Sequence, residues 1–272
     1  LHPPPSPNVL RRPEVFWLGL AHTDSARAGD NPRPHRNLLL DWFPGAYNDS
    51  PARGVIFRHN SQTGDARISG SLASLAGLQS ALESGDESAI QQSIDIILLV
   101  HGMIMSFGGI PLLYYGDEIG TLNDLSFLED EHKAKDTRWI HRPRLDWEKA
   151  GQRHTHGSVE QRIFSGLQKM IAVRKSIAAF SDYNNRELLE SGNPHLFVFM
   201  RTSPFMQNEN VLVVGNFDNA PQSLSLSDLG NRGQFGFGQL QDLYSGESPK
   251  SFNDQLVIPP FSFYWLTDRR TF

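Results

Sequence analysis

Between Gly109 and Gly116 stand Ile110, Pro111, Leu112, Leu113, Tyr114 and Tyr115, a run in which apolar and polar side chains do not alternate. A strand with one face in water alternates with period two, so an unalternating run that directly follows a helix predicts a strand covered on both faces. Such strands belong to the parallel sheets of α/β folds and barrels, where they need a neighbour on each side. The rest of the chain has to be read for those neighbours.

Upstream, Leu72, Leu75, Leu78 and Leu82 recur at three- and four-residue intervals, which predicts a short helix ending near Gly85. Asp86 then caps a second helix whose stripe of Ile90, Ile94, Ile97, Leu98 and Met105 stops at Gly108 and Gly109. Downstream, residues 116–157 are polar and aromatic with weak periodicity, a connection of roughly 40 residues where compact domains usually use about 4–6. Loops of that length are usually functional. Ser158 opens another amphipathic helix, with Glu160 and Gln161 in its first turn, that runs to about Ile177.

From Arg186 the pattern turns to period two, at residues 195–202, 210–217, 222–226, 239–244 and 255–267, with Asn, Gly, Asp and Pro between them. Short strands so spaced predict a small antiparallel sandwich. Residues 1–35 are rich in Pro and Arg without a sustained period and read as irregular. The expected divisions are therefore 1–35 irregular, 36–83 a loop-rich subdomain, 84–182 helix–strand–helix units and 183–272 the sandwich. Only one run reads as a barrel strand.

A chain of 272 residues with 39% hydrophobic content is expected to be soluble and globular with a sizeable core, in one large or two ordinary domains. Its 25 basic and 30 acidic side chains, net −5, provide no electrostatic footprint for nucleic acid or an anionic membrane. Without cysteine there is no disulfide, thiolate nucleophile or Cys-ligated zinc. No cofactor and no metal site are expected. The apolar stretch 96–105 contains His101 and is far shorter than the roughly 20 residues of a membrane helix. Pro3, Pro4, Pro5 and Pro7 stand where a secretory signal needs an apolar helical run. The compartment stays open.

The run GGIPLLYYGDEIG, residues 108–120, ends in Asp117 and Glu118 at the strand's C-terminal edge, the face that carries active sites in (β/α)8 barrels. Taken alone, such a pair most often bonds loop amides or water. As a whole, the run resembles the signature that closes the barrel in the α-amylase family of glycoside hydrolases, where a Gly-x-Pro strand leads into Gly-Asp-Glu. On either side GTLND (120–124), DTRWIHRPR (136–144) and TGDARISG (63–70) are similar to amylosucrases and sucrose hydrolases. The resemblance covers roughly residues 36–272.

The fold it implies is α/β: the C-terminal portion of a (β/α)8 TIM barrel with an inserted loop-rich subdomain after strand seven, followed by an antiparallel β-sandwich. The activity it implies is cleavage of sucrose with retention, through a glucosyl-enzyme, and transfer of glucose to an α-1,4-glucan or to water. Sucrose and α-glucan oligosaccharides would be the partners of the full-length parent, with neither nucleic acid nor membrane involved. Arg138 would close the floor of the glucose pocket by pairing with an upstream Asp, and Arg36 and Arg67 would line the fructose and acceptor side. The guanidinium fork suits sugar hydroxyls and carboxylates, although each Arg taken singly also fits a surface ion pair. Trp42, Trp139 and Trp147 have flat faces that suit sugar rings, yet most large aromatics are core. Leu38 stands where amylosucrases commonly carry an aromatic, and Arg58 where an amide is usual.

Retaining glycosidases need two carboxyl groups about 5 Å apart, and the resemblance places both on earlier strands. It also places a His-Asp pair just before the inserted subdomain, where RRPEVFW (11–17) stands instead; none of the ten histidines is followed by Asp. A complete barrel takes about 250 residues, while the sandwich here already uses about 90. With its start at Leu1, the chain is expected to be the C-terminal part of a longer amylosucrase-like enzyme, without catalytic residues of its own and inactive in isolation. Two other readings stand beside it. A non-catalytic carbohydrate-binding module would expose a row of aromatics on the sandwich, whereas Phe197, Phe199, Phe261, Phe263 and Trp265 alternate as core residues do. A structural or interaction protein would fold without a polar pocket.

Overall fold

The computed structural model describes residues 32–62, 64, 66–203, 210–229, 240–252 and 255–268. The irregular reading of the N-terminal segment lies, up to residue 31, outside the described residues. The described chain clusters into two compact units, one holding residues up to 97 together with 113–165, the other 98–112 together with 166–268.

The first unit begins with α1 (Pro32–Trp42) and an antiparallel hairpin of β1 (Val55–Phe57) and β2 (Arg67–Ser69), in which Val55 faces Ser69. The leucine spacing predicts one helix next, but there are two, α2 (Leu72–Leu75) and α3 (Leu78–Ser84). Between them Gly77 turns left-handed at φ 96°, and a Cβ there would approach Pro51 Cβ to 2.9 Å. Only glycine fits that turn. The helix expected after Asp86 is present as α4 (Glu87–Phe107): Asp86 Oδ1 accepts from the amides of Ser88 (2.9 Å) and Ala89 (3.3 Å). After a chain of short turns come α5 (Trp147–Gly151) and α6 (Val159–Ser176), the latter capped by Ser158 Oγ accepting from Gln161 N at 3.0 Å.

By length and composition α4 is the one helix among the described residues that is apolar enough to cross a membrane. Counting contiguous apolar residues understates it, because Asp95 and His101 interrupt the run. Its stripe of Ile90, Ile94, Ile97, Leu99, Met103 and Met105 is buried in the fold, as in a core helix.

The strand expected at residues 110–115 belongs to no ladder. Residues 110–114 have no regular structure and Tyr115 begins a turn, with Ile110 82% and Leu112 78% exposed, and every ladder among the described residues is antiparallel. Two physical reasons account for the difference. Pro111 has no N–H to donate to a neighbour, and no parallel partner is present among the described residues to cover either side.

The second unit carries the sandwich. A five-stranded sheet has the order β3 (Arg186–Leu189), β4 (Leu196–Thr202), β5 (Asn210–Asn216), β10 (Phe263–Asp268), β7 (Leu240–Asp242), and a three-stranded sheet has the order β6 (Gln222–Ser225), β9 (Gln255–Ile258), β8 (Ser251–Phe252). Leu196, Val198, Leu212, Val214, Leu224, Leu256, Ile258 and Leu266 form a buried cluster that draws on both sheets. The alternate residues of the larger sheet are also buried, because they meet residues 98–107 of α4 and the chain beyond Gly166. Phe107 stacks edge-on with Phe199 at 5.4 Å, and Phe180 edge-on with Trp265 at 4.9 Å. Gly102 and Gly215 permit this approach: a Cβ on Gly102 would lie 2.8 Å from three atoms of the Phe263 ring, and one on Gly215 would lie 2.9 Å from Met103 Sδ.

Arg201 is fully buried on the same face. Its guanidinium donates to Asn185 Oδ1 (2.6 Å), to the carbonyl of Asp182 (2.6 Å) and to the carbonyl of Ser106 in the last turn of α4. Burial, together with nearby Arg174 and Arg186, lowers its pKa to about 10. Arg174 donates to the carbonyl of Met105, so two cations neutralise the orphan carbonyls at the end of this helix.

Candidate functional site

The long connection after Tyr115 builds one wall of a pocket in the first unit. Gly116 (φ 91°) and Gly120 (φ 61°) bracket a single 3-10 turn over Asp117–Ile119, held by the buried Ile119 and by Thr121 N donating to Gly116 O at 2.9 Å. The turn is tight enough that a Cβ on Gly116 would lie 2.6 Å from Thr121 Oγ1. The opposite wall is the start of α2, where Ser71 N donates to Asn123 Oδ1 (2.7 Å) and Asn123 N donates to Ser74 Oγ (2.9 Å). Leu72 and Leu75 supply its apolar part, and the cavity measures about 330 Å3.

Six side chains give the pocket its chemistry: Ser71, Tyr114, Tyr115, Asp117, Thr121 and His141. The Tyr114 ring lies 4.8 Å from that of Tyr115 and meets His141 edge-on at 6.0 Å, while the Tyr115 hydroxyl donates to Pro143 O at 3.1 Å. Glu118 Oε2 accepts from Gly116 N at 2.7 Å, so this carboxylate ties the loop. Burial, and then the charge of Glu118, push the Asp117 carboxyl up to about 6, against a hydrogen bond from the Tyr114 backbone that lowers it. Burial, and then the cations Arg142 and Arg138, hold His141 below its ordinary value, with Asp136 opposing. His141 Nδ1 is buried and has no hydrogen-bond partner among the described residues.

Arg138 sits in the 3-10 turn Thr137–His141 and grips Asp136, two residues away, through Nε (2.8 Å) and Nη2 (2.6 Å). That contact draws the half-buried Asp136 carboxyl down to about 2. Within this chain, then, the carboxylate on Arg138 is a local one. Arg67 is exposed on β2, the strand that packs against the turn carrying Arg138. Arg36 belongs to α1, and its side chain lies outside the described residues. Arg67 and Arg138 thus stand on adjoining elements, and neither lines the pocket. Trp139 is half-buried beneath Lys133 Nζ at 5.2 Å, Trp147 is exposed, and Leu38 is buried. Among the described residues no group of three His, Asp or Glu side chains is placed to hold a metal.

Sequence reasoning names Asp117 only as half of the Asp-Glu pair that ends the motif, without a site role, and misses Ser71, Thr121 and His141. His141 lies inside DTRWIHRPR, beside the buried Ile140, and that neighbour is the one local sign that the turn faces inward.

Residues 186–265 match the family model described as maltogenic amylase, C-terminal domain. The fold is similar to that of AmyP, solved in complex with maltotriose, with a TM-score of 0.50 and 15% identity over 65% of this chain and 35% of that one. A pullulanase from Bacillus acidopullulyticus gives a TM-score of 0.48 at 17% identity, over 91% of this chain and 28% of that one. Bacillus licheniformis trehalose-6-phosphate hydrolase gives 0.44 at 18%, over 64% and 39%. The matched family and these enzymes belong to the α-amylase family of glycoside hydrolases, and none of them singles out sucrose. The chain spans 35%, 28% and 39% of their respective lengths.

Proposed function

We propose that this chain is the C-terminal part of an α-amylase-family enzyme that acts on α-glucosides with retention, and within that family an amylosucrase-like one that cleaves sucrose and passes glucose to an α-1,4-glucan or to water. The observation that carries the reading is the match of residues 186–265 to the maltogenic amylase C-terminal domain. The sucrose specificity is supported by GTLND, DTRWIHRPR and TGDARISG, which adjoin the GGIPLLYYGDEIG run. In this reading Arg138, Arg67 and Arg36 bind substrate, and the two carboxyl groups of the double displacement come from residues outside these 272. Arg138 would exchange its local Asp136 for a carboxylate of the glucose pocket. The binding-module alternative has less support, because Phe199, Phe263 and Trp265 are buried rather than displayed.

The test is to express the longest reading frame that contains these residues, and the 272-residue chain beside it, and to measure fructose release from sucrose and reducing ends from starch. The longer protein is expected to release fructose at rates of about 1–1,000 per second, the ordinary enzyme range, and the 272-residue chain none. Starch cleavage without fructose release would leave an α-amylase-family hydrolase of other specificity. Turnover by the 272-residue chain, or by neither protein on either substrate, would sink the reading.

A further inference from the structure

We propose that the pocket of the first unit binds one uncharged, hydroxyl-rich ring of pyranose type, seated against Tyr114 and hydrogen-bonded by Asp117 and His141. The choice of a sugar rests on the α-glucoside reading above; the pocket and its residues are drawn from this chain alone.

Size is the first argument. A cavity of about 330 Å3 lies at the small end of the roughly 300–1,000 Å3 of ligand sites, which suits one ring rather than an oligosaccharide. The lining is the second. Leu72, Leu75 and the Tyr114 ring offer apolar surface, and Ser71, Asp117 and Thr121 set polar groups around it. A pyranose has the matching pattern, with C–H faces and a rim of hydroxyls.

The third argument is the imidazole of His141, which makes no hydrogen bond among the described residues. A half-buried ring without polar partners leaves hydrogen-bonding capacity unused, which costs free energy unless a ligand or water satisfies it. Turning the ring toward the cavity breaks no bond. A neutral imidazole has one donor nitrogen and one acceptor nitrogen, and a hydroxyl answers either. Charge is the fourth. Asp117 stands on the wall and Glu118 behind it, while the cations Arg142 and Arg138 that act on His141 lie outside the lining, so the charge nearest a ligand is negative and a sugar phosphate is a poor occupant near neutral pH.

The probe is methyl α-D-glucopyranoside, added to the 272-residue chain while the histidine ring resonances are followed by 1H–15N correlation. His141 is expected to shift saturably in the millimolar range, with glucose 6-phosphate at least about tenfold weaker and glycerol without effect. Tyr114→Ala and Asp117→Asn should each weaken binding about three- to tenfold, the scale of one lost contact. Asp117→Asn preserves shape and carries the test if Tyr114→Ala does not fold. Phe252→Ala, an exposed aromatic of the sandwich, should leave binding unchanged.

No saturable shift of His141 up to about 100 mM overturns the proposal. So does binding that both pocket variants leave intact, or that Phe252→Ala weakens, which would move the site to the sandwich. Binding is read here without turnover. An empty pocket in a chain whose longer protein cleaves sucrose defeats this inference alone, and a filled pocket beside a longer protein that cleaves neither substrate defeats the enzyme reading alone.

Discussion

Asp117 shows how a single carboxyl taxes the fold that holds it. Its pKa is raised from 3.8 to about 6, so between those values the folded chain binds a proton that the unfolded chain has released. The stabilising effect of that proton is full below about 3.8 and lost as pH rises through about 6. Asp117→Asn removes the charge at every pH and keeps an oxygen to accept from the Tyr114 backbone. The variant should melt about 2–4 °C higher than the parent at pH 8, the shift produced by about 1 kcal/mol in a chain of this size. The two melting curves should converge toward pH 4. A variant that melts no higher at pH 8 would mean the carboxylate is already solvated. The polar part of the site was only partly legible at this scale. Asp117 announces itself because a glycine-framed turn presents it, whereas Ser71 and His141 come together across 70 positions of chain, a proximity that no local pattern encodes.

At the scale of elements, legibility followed the kind of signal. Helix starts were readable because Asp86 and Ser158 bond the amides of their own first turns. Strands β4 and β5 fall where period two is expected, yet LFVFM and VLVV are unbroken apolar runs and β5 is buried from Val211 to Asn216, because both faces of this sheet are covered; β3, RELL with mixed exposure, carries no period to find. The leucines of 72–82 keep helical spacing straight through Gly77, so spacing hides a break that backbone conformation imposes. At residues 110–115 apolarity predicts burial, but Pro111 has no N–H for a ladder and no partner strand stands beside it among the described residues. Gly102 tests packing against propensity within α4. Alanine gains up to about 1 kcal/mol of helix propensity, but its Cβ would sit 2.8 Å from the Phe263 ring, and overpacking costs roughly 1–3 kcal/mol. Gly102→Ala should therefore lower the melting temperature, while Gly151→Ala, which meets nothing within 4 Å in α5, should hold or raise it. Equal effects of the two would refute the close approach.

For the whole molecule, the antiparallel sandwich is the most legible part, and the expected barrel portion has no ladder among the described residues. The β3–β4, β4–β5 and β8–β9 ladders join strands that follow one another in sequence, and the longer-range partners, β10 with β5 and β7 and β9 with β6, still lie within residues 186–268. A parallel sheet needs strands far apart in the chain, so one unalternating run carries no local sign of its partners. Among the described residues Ile110 and Leu112 stand exposed and without a ladder partner. The same distinction separates the two halves of the functional reading: the α-amylase-family likeness rests on a locally folded domain, the proposed sucrose specificity on the loop segments 63–70, 120–124 and 136–144.

The double-sided burial of the five-stranded sheet bears on modularity. A segment with its own ladder and its own family match resembles a transplantable part, yet one face of it is finished by residues 98–107. Cut at residue 183, the C-terminal piece would uncover Phe197, Phe199, Phe263 and Trp265 and strip Arg201 of the Ser106 carbonyl. Produced alone, residues 183–272 should bind a hydrophobic dye and melt without a cooperative transition, whereas the 272-residue chain melts cooperatively through the same strands. A sharply melting, dye-negative piece would mean the sandwich is autonomous after all. If it is not, shuffling such a segment between proteins requires carrying a helix from nearly a hundred residues upstream, and the unit of inheritance is discontinuous in sequence.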